Sequence, residues 1–196
     1  MKYSGTLLVM LLPLLVGCSS RTVSNTPRTA VEQLLLSRAV DLALEKFDMP
    51  EAAGRTMYID LTNLKSYDYE YVKVAVRSRF AKLGATLVDK PEEANYICEV
   101  ASGALGTEYK STLVGVPGLP VPSSPVPLPE VSLYRKVEQT AIMKLLVFVH
   151  ENGKHIASGL YYAGADRDES FLLWFRFSHR DQIREGWERA DAELKR

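Results

Sequence analysis

One stretch constrains the fold more than any other. Val114 to Pro129 (VGVPGLPVPSSPVPLP) holds six of the chain's ten prolines. Proline lacks an amide donor and fixes φ, so this stretch can be neither a helix nor a central strand. It predicts an extended polyproline-type loop over residues 114–130. Regular structure must therefore close before it and reopen after it. No charge falls in the stretch before Glu130, and its other residues are mostly Val, Leu, Gly and Ser. An uncharged apolar loop reads either as a contact surface, for a membrane or a protein partner, or as a strap lying on its own domain.

The N-terminus reads as an address. Lys2 supplies a positive start, and Leu7 to Val16 (LLVMLLPLLV) is apolar. That stretch is too short for a spanning helix, which needs about 20 apolar residues. A basic start, a short apolar core and a small residue before the cut describe a secretory leader. Leu15-Val16-Gly17-Cys18 resembles the lipobox of bacterial lipoproteins, cut between Gly17 and Cys18. The resemblance implies a leader over 1–17, a diacylglyceryl thioether on Cys18 and an acyl chain on its new amine. Two or more acyl chains anchor stably where one is marginal. Ser19, rather than Asp, follows the cysteine, which favours the outer membrane over inner-membrane retention. Residues 18–26 then read as a polar tether, about 25 Å at full extension.

The folded part is expected over residues 27–196. Pro27 and the pair Thr29 and Glu32 mark a helix start with a capping box, followed by an apolar stripe of Val31, Leu35, Ala39, Leu42 and Ala43. Thr56–Leu61 has strand content. Tyr67–Leu83 is helical, with Tyr69, Val72, Val76, Phe80 and Leu83 on one side and Gly84 as its stop. A short strand at 85–88, a turn at 89–94 and a strand from Asn95 to Ala101 or Leu105 follow. Beyond the proline-rich stretch, Lys136–His150 and His155–Ala165 read as a hairpin about Asn152-Gly153. Asp166–Ser170 (DRDES) reads as a polar turn, Phe171–Phe177 as a strand, and His179–Lys195 as a final helix with Ile183, Trp187, Ala190 and Leu194 inward.

Composition narrows the function. Twenty-four Lys and Arg balance 24 Asp and Glu, so no basic surface argues for nucleic acid. Two cysteines cannot make a disulfide framework, and with Cys18 lipidated Cys98 is a lone thiol in a strand-like run, a buried small hydrophobe. A two-residue turn at Asn152-Gly153 sets His150 opposite His155, a pair that could share a metal ion, though no third ligand is evident. Asp166, Asp168 and Glu169 lack the calcium-loop pattern and read as a solvated turn. No nucleophile elbow or phosphate-cradling glycine motif is present. No catalytic, cofactor or metal residue is therefore assigned, and Cys18 is the single site residue.

Arg55–Leu61, Ala81–Gly84, Thr86–Val88 and Pro91–Tyr96 together resemble a unit of the complement-resistance (TraT-like) outer-membrane lipoproteins, found in looser form in curli-secretion-type pore lipoproteins. The resemblance implies an α+β unit and supplies no catalytic residues. TraT-like proteins follow the unit with Gly/Ala-rich apolar insertions, and here the proline-rich stretch stands in their place.

The expectation is a single α+β domain with a mixed or antiparallel sheet packed by helices, behind a lipoprotein leader. Its function is expected to be a non-enzymatic binding or assembly module of the outer membrane. Expected partners are the membrane through Cys18 and an envelope protein or a second copy, with no nucleic acid and no cofactor. One alternative is a homo-oligomeric ring related to secretion-pore or surface-exclusion lipoproteins. Another is a periplasmic metal-binding protein or hydrolase using His150 and His155.

Overall fold

The computed structural model describes residues 18–23, 28–66, 68–120 and 128–195. The expected leader, Pro27, Tyr67 and the middle of the proline-rich loop lie outside these residues. The fold is α+β. Its strands are β1 (Cys18–Val23), β2 (Thr56–Asp60), β3 (Thr86–Val88), β4 (Tyr96–Val116), β5 (Val131–Glu151), β6 (Lys154–Leu172) and β7 (Phe175–Asp181). Its helices are α1 (Ala30–Glu45), α2 (Tyr69–Lys82) and α3 (Gln182–Leu194). The sheet order is β3-β2-β4-β5-β6-β7, and β1 also pairs with β4. The sheet is mixed: β2 runs parallel to β3 and β4, whereas β1–β4 and β6–β7 are antiparallel.

The chain forms two compact units, residues 24–107, 140–166 and 182–196 making one and residues 1–23, 108–139 and 167–181 the other. The helices belong to the first of these. Helix α1 starts where the capping box predicts: the Glu32 amide donates to Thr29 Oγ1 at 3.3 Å and the Thr29 amide to Glu32 Oε2 at 2.7 Å. Its buried stripe is Leu35, Leu36, Ala39, Val40, Ala43 and Leu44. Helix α2 buries Val72, Val76 and Phe80 and stops at Gly84, whose φ of +87° suits glycine. The Gly84 amide donates to the Ala81 carbonyl at 3.0 Å and the Ala85 amide to the Phe80 carbonyl at 3.1 Å, which satisfies two orphan carbonyls.

Alternation along the strands selects the face these helices cover. Met57, Ile59, Cys98, Val100, Met143, Leu145, Val147 and Val149 are buried with the helical residues in one core. The residues between them, such as Ile142, Leu146 and Tyr162, remain exposed. Asn95 fastens the start of β4 to β2, since its side chain accepts from the Thr56 amide at 3.2 Å and its own amide donates to Thr56 Oγ1 at 2.9 Å. Asn152 (φ +49°) and Gly153 (φ +80°) make the expected two-residue turn between β5 and β6.

The second unit is a sheet without a helix among its described residues. Here the sequence expectations need correction. Cys18–Val23 is a strand rather than the start of a polar tether, because the edge of β4 offers it a ladder from Leu113 (opposite Cys18) to Glu108 (opposite Val23). Strand β4 runs to Val116, well past Leu105. The DRDES segment is strand, not turn. Its charges are satisfied across and along the sheet: Glu169 accepts from Arg167 at 2.7 Å and from Arg176, and Arg167 lies 3.6 Å from Asp181. The reversal comes at Leu173-Trp174, and β7 continues to Asp181, so α3 begins at Gln182 instead of His179. In α3, in the first unit, Ile183 is buried while Trp187 is 65% exposed, so the expected stripe packs only in part.

Candidate functional site

The second unit gathers its exposed apolar side chains at one end. Strands β4 and β5 meet beyond Val116, where Leu119 bridges Leu128 and both are exposed. The turn between β6 and β7 sits at the same end: the Leu173 amide donates to the Leu133 carbonyl at 2.9 Å. Trp174, in that turn, is 81% exposed, and Leu173 and Phe175 beside it are exposed too. Leu173 holds φ +54°, a region that bulky residues seldom occupy. Hairpin turns normally take Gly or Asn there. Nothing in a scan for turn chemistry points to Leu-Trp, which is why the FLLWF run reads as plain strand from sequence. Charge runs out toward this end, with no Asp, Glu, Lys or Arg over Ser111–Pro129 or Ser170–Phe175. Glu130, just past the first segment, is paired with Arg135 at 3.3 Å.

Cys18, the expected lipidation site, holds a definite place in this sheet. Its register partner is Leu113, three residues before the end of β4. At about 3.3 Å per residue, that is about 10 Å along the strand from Val116.

His150 and His155 take separate hydrogen-bond partners. Phe148 packs against both rings, with centroids 5.3 and 5.9 Å away. The Gly153 amide donates to His150 Nδ1 at 3.2 Å, so the proton of the neutral ring lies on Nε2, which faces Glu99 at 3.3 Å. His155 Nε2 bonds Ser158 Oγ at 3.1 Å. Cys98 is fully buried, and burial, with the neighbouring Glu99 carboxylate, pushes its thiol far above the ordinary range. Asp166 is in β6, and its amide donates to the Gln182 side chain at 2.7 Å. No group of three or more His, Cys, Asp or Glu close enough to hold a metal ion occurs among the described residues.

The helical unit has a groove that sequence reading missed. It is lined by Arg38, Asp41, Tyr71, Lys82 and Arg189 among others and encloses about 480 Å³. The Tyr71 hydroxyl donates to Asp41 Oδ1 at 2.7 Å. Burial raises the Asp41 carboxyl above its usual range, against the opposing effects of that hydrogen bond and of Arg38. Burial and the Asp41 bond raise the Tyr71 phenol as well. The pair is a fixed acceptor and donor, and Ser78 and Lys82 also line the groove.

The fold and this inventory describe an α+β protein with an exposed apolar end. The chain belongs to a family of unknown function, DUF6655, which it matches over residues 14–164. No curated protein matches it.

Proposed function

We propose that the protein is a lipid-anchored component of the cell envelope, held to the outer membrane through Cys18, and that it acts as a non-enzymatic binding or assembly module. The observation that carries this is Leu15-Val16-Gly17-Cys18 at the end of a short apolar stretch behind a basic start. An anchor confines the domain to one surface, so that weak contacts suffice for its partners. The surfaces available for such contacts are the open sheet face with Ile142, Leu146 and Tyr162 and the apolar end of the other unit.

The test is the mass of the mature protein from gently solubilised membranes, with fragmentation of its N-terminal peptide. A chain beginning at a triacylated Cys18 supports the reading. A mature chain with a free Cys18 thiol, or one cut elsewhere, overturns the anchor. The native mass of the same preparation addresses assembly. A large closed oligomer would favour the ring alternative, for which the exposed apolar sheet face is the supporting observation. A monomer or a complex with other chains would favour the binding module.

A further inference from the structure

We propose that the apolar end of the β4–β5 and β6–β7 hairpins is a bilayer-docking surface, which seats in the phospholipid interface beside the acyl chains of Cys18. The inference rests on the lipid-anchor reading for its geometry and goes beyond it in assigning membrane contact to the folded chain itself.

Four observations converge. The hairpin ends present Val116, Leu119, Leu128, Leu173, Trp174 and Phe175 to solvent. The Leu173–Leu133 backbone bond joins the two hairpins, so these residues form one end rather than scattered exposures. The charges that border that end are paired, Glu130 with Arg135 and Arg176 with Glu169. Finally, the ladder puts Cys18 opposite Leu113, so the anchor point lies within a few residues of the same end.

The residue types fit an interface. Tryptophan concentrates at headgroup depth, where its ring is apolar and its N–H remains wet, and leucine and phenylalanine reach the acyl boundary. The turn also departs from ordinary turn chemistry, with Leu173 at positive φ where Gly or Asn would be relaxed. A strained turn that displays Leu-Trp points to a function for those side chains. A protein partner would also accept an apolar end. The bilayer is preferred because a lipid anchor beside the end brings acyl chains to it without any other recognition.

The test uses the full-length acylated protein, since Trp174 and Trp187 are its only tryptophans. A Trp187→Phe variant leaves Trp174 as sole reporter, and Trp187→Tyr serves should the first fold poorly. The protein is reconstituted into phosphatidylethanolamine/phosphatidylglycerol vesicles, with and without lipids brominated on their acyl chains. The expected result is a blue-shifted Trp174 emission, quenched at least twofold by brominated lipid and shielded from iodide in the water. A Trp174→Phe variant, reporting from Trp187, should show neither effect. Full quenching of Trp174 by iodide overturns the proposal. Shielding from iodide without quenching by brominated lipid also overturns it, and assigns the end to a protein partner or a second copy. Mass analysis of the same sample reports acylation at Cys18 separately. Trp174 deep in lipid on an unacylated chain would thus sink the anchor and keep the docking surface, while an acylated chain with Trp174 in water would do the reverse.

Discussion

Gly115 lies so close to Val131 that a Cβ on it would come within 2.1 Å of the Val131 carbonyl oxygen. Its φ of +153° adds a conformation that other residues seldom adopt. The obstacle is backbone on a paired strand, which cannot swing aside as a side chain could. Gly115→Ala is therefore expected to destabilise the protein by about 1 to 3 kcal/mol. Urea unfolding checks this against Gly106→Ala, where nothing lies within 4 Å of the added carbon and little change is expected.

The capping box at the start of α1 gives a second prediction. Thr29→Ala removes the acceptor for the Glu32 amide and should cost about 1 kcal/mol, whereas Thr29→Ser keeps the oxygen and should stay near wild type. Thermal unfolding of the two variants side by side decides it. Equal midpoints would mean that solvent replaces the cap fully.

These two positions show how legible the fold was. The capping box, Gly84 and Asn152-Gly153 are local signals, since each acts on backbone within a few residues of itself, and each marks an element boundary correctly. The apolar run at Ala141–Val149 is local too and marks β5, while which of its faces is buried follows from the helices packed on it. What failed to show was everything settled by distant partners. Asp168 and Glu169 read as turn residues until Arg167, Arg176 and Asp181 are placed beside them across β6 and β7. Cys18–Val23 reads as a tether until the edge of β4 is known to be open, and Leu173-Trp174 contradicts turn preferences altogether. Cys18 stands out in the sequence through its resemblance to a lipobox. The apolar end was legible only in its proline-rich half, and the Asp41–Tyr71 pair joins residues 30 apart and was not legible at all.

Asp41 predicts a pH effect. Its folded pKa is raised, so the native state holds this proton more tightly than the unfolded chain. The stability from the protonated form is present at low pH and is lost as pH rises from the unfolded value of 3.8 through the folded one. Asn at this position keeps an acceptor for the Tyr71 hydroxyl without the buried charge. Asp41→Asn should therefore be as stable as wild type or more so at about pH 7, with the advantage shrinking toward about pH 4. Urea midpoints at the two pH values test it, and a loss of stability at neutral pH would show that the carboxylate's charge is needed there, with Arg38 the nearest candidate.

Cys98 predicts silence. With its thiol buried and pushed far above the ordinary range, almost no thiolate forms at about pH 8. A Cys18→Ser chain retains Cys98 as its sole cysteine. Iodoacetamide should leave the native protein unlabelled over hours and label it completely in guanidinium. Rapid native labelling would mean that the strand core opens readily around β4.

The pairing of β1 with β4 sets how Cys18 behaves in time. Cys18 and Leu113 are 95 positions apart, so their pairing closes a far longer loop than the two-residue turn between β5 and β6. Six residue pairs hold β1, and β4 is its partner in the sheet. Strand β1 is thus the last pairing to form and the first to open, and its amides should exchange with deuterium sooner than those of Met143 or Leu145. The attachment proposed at Cys18 would then have two working lengths. With β1 closed it grips the sheet directly, and with β1 open it reaches the cap of α1 through a leash of up to about 35 Å. On the proposed anchor, the same six-residue ladder would act as a latch between a seated molecule and one free to search the space above the membrane.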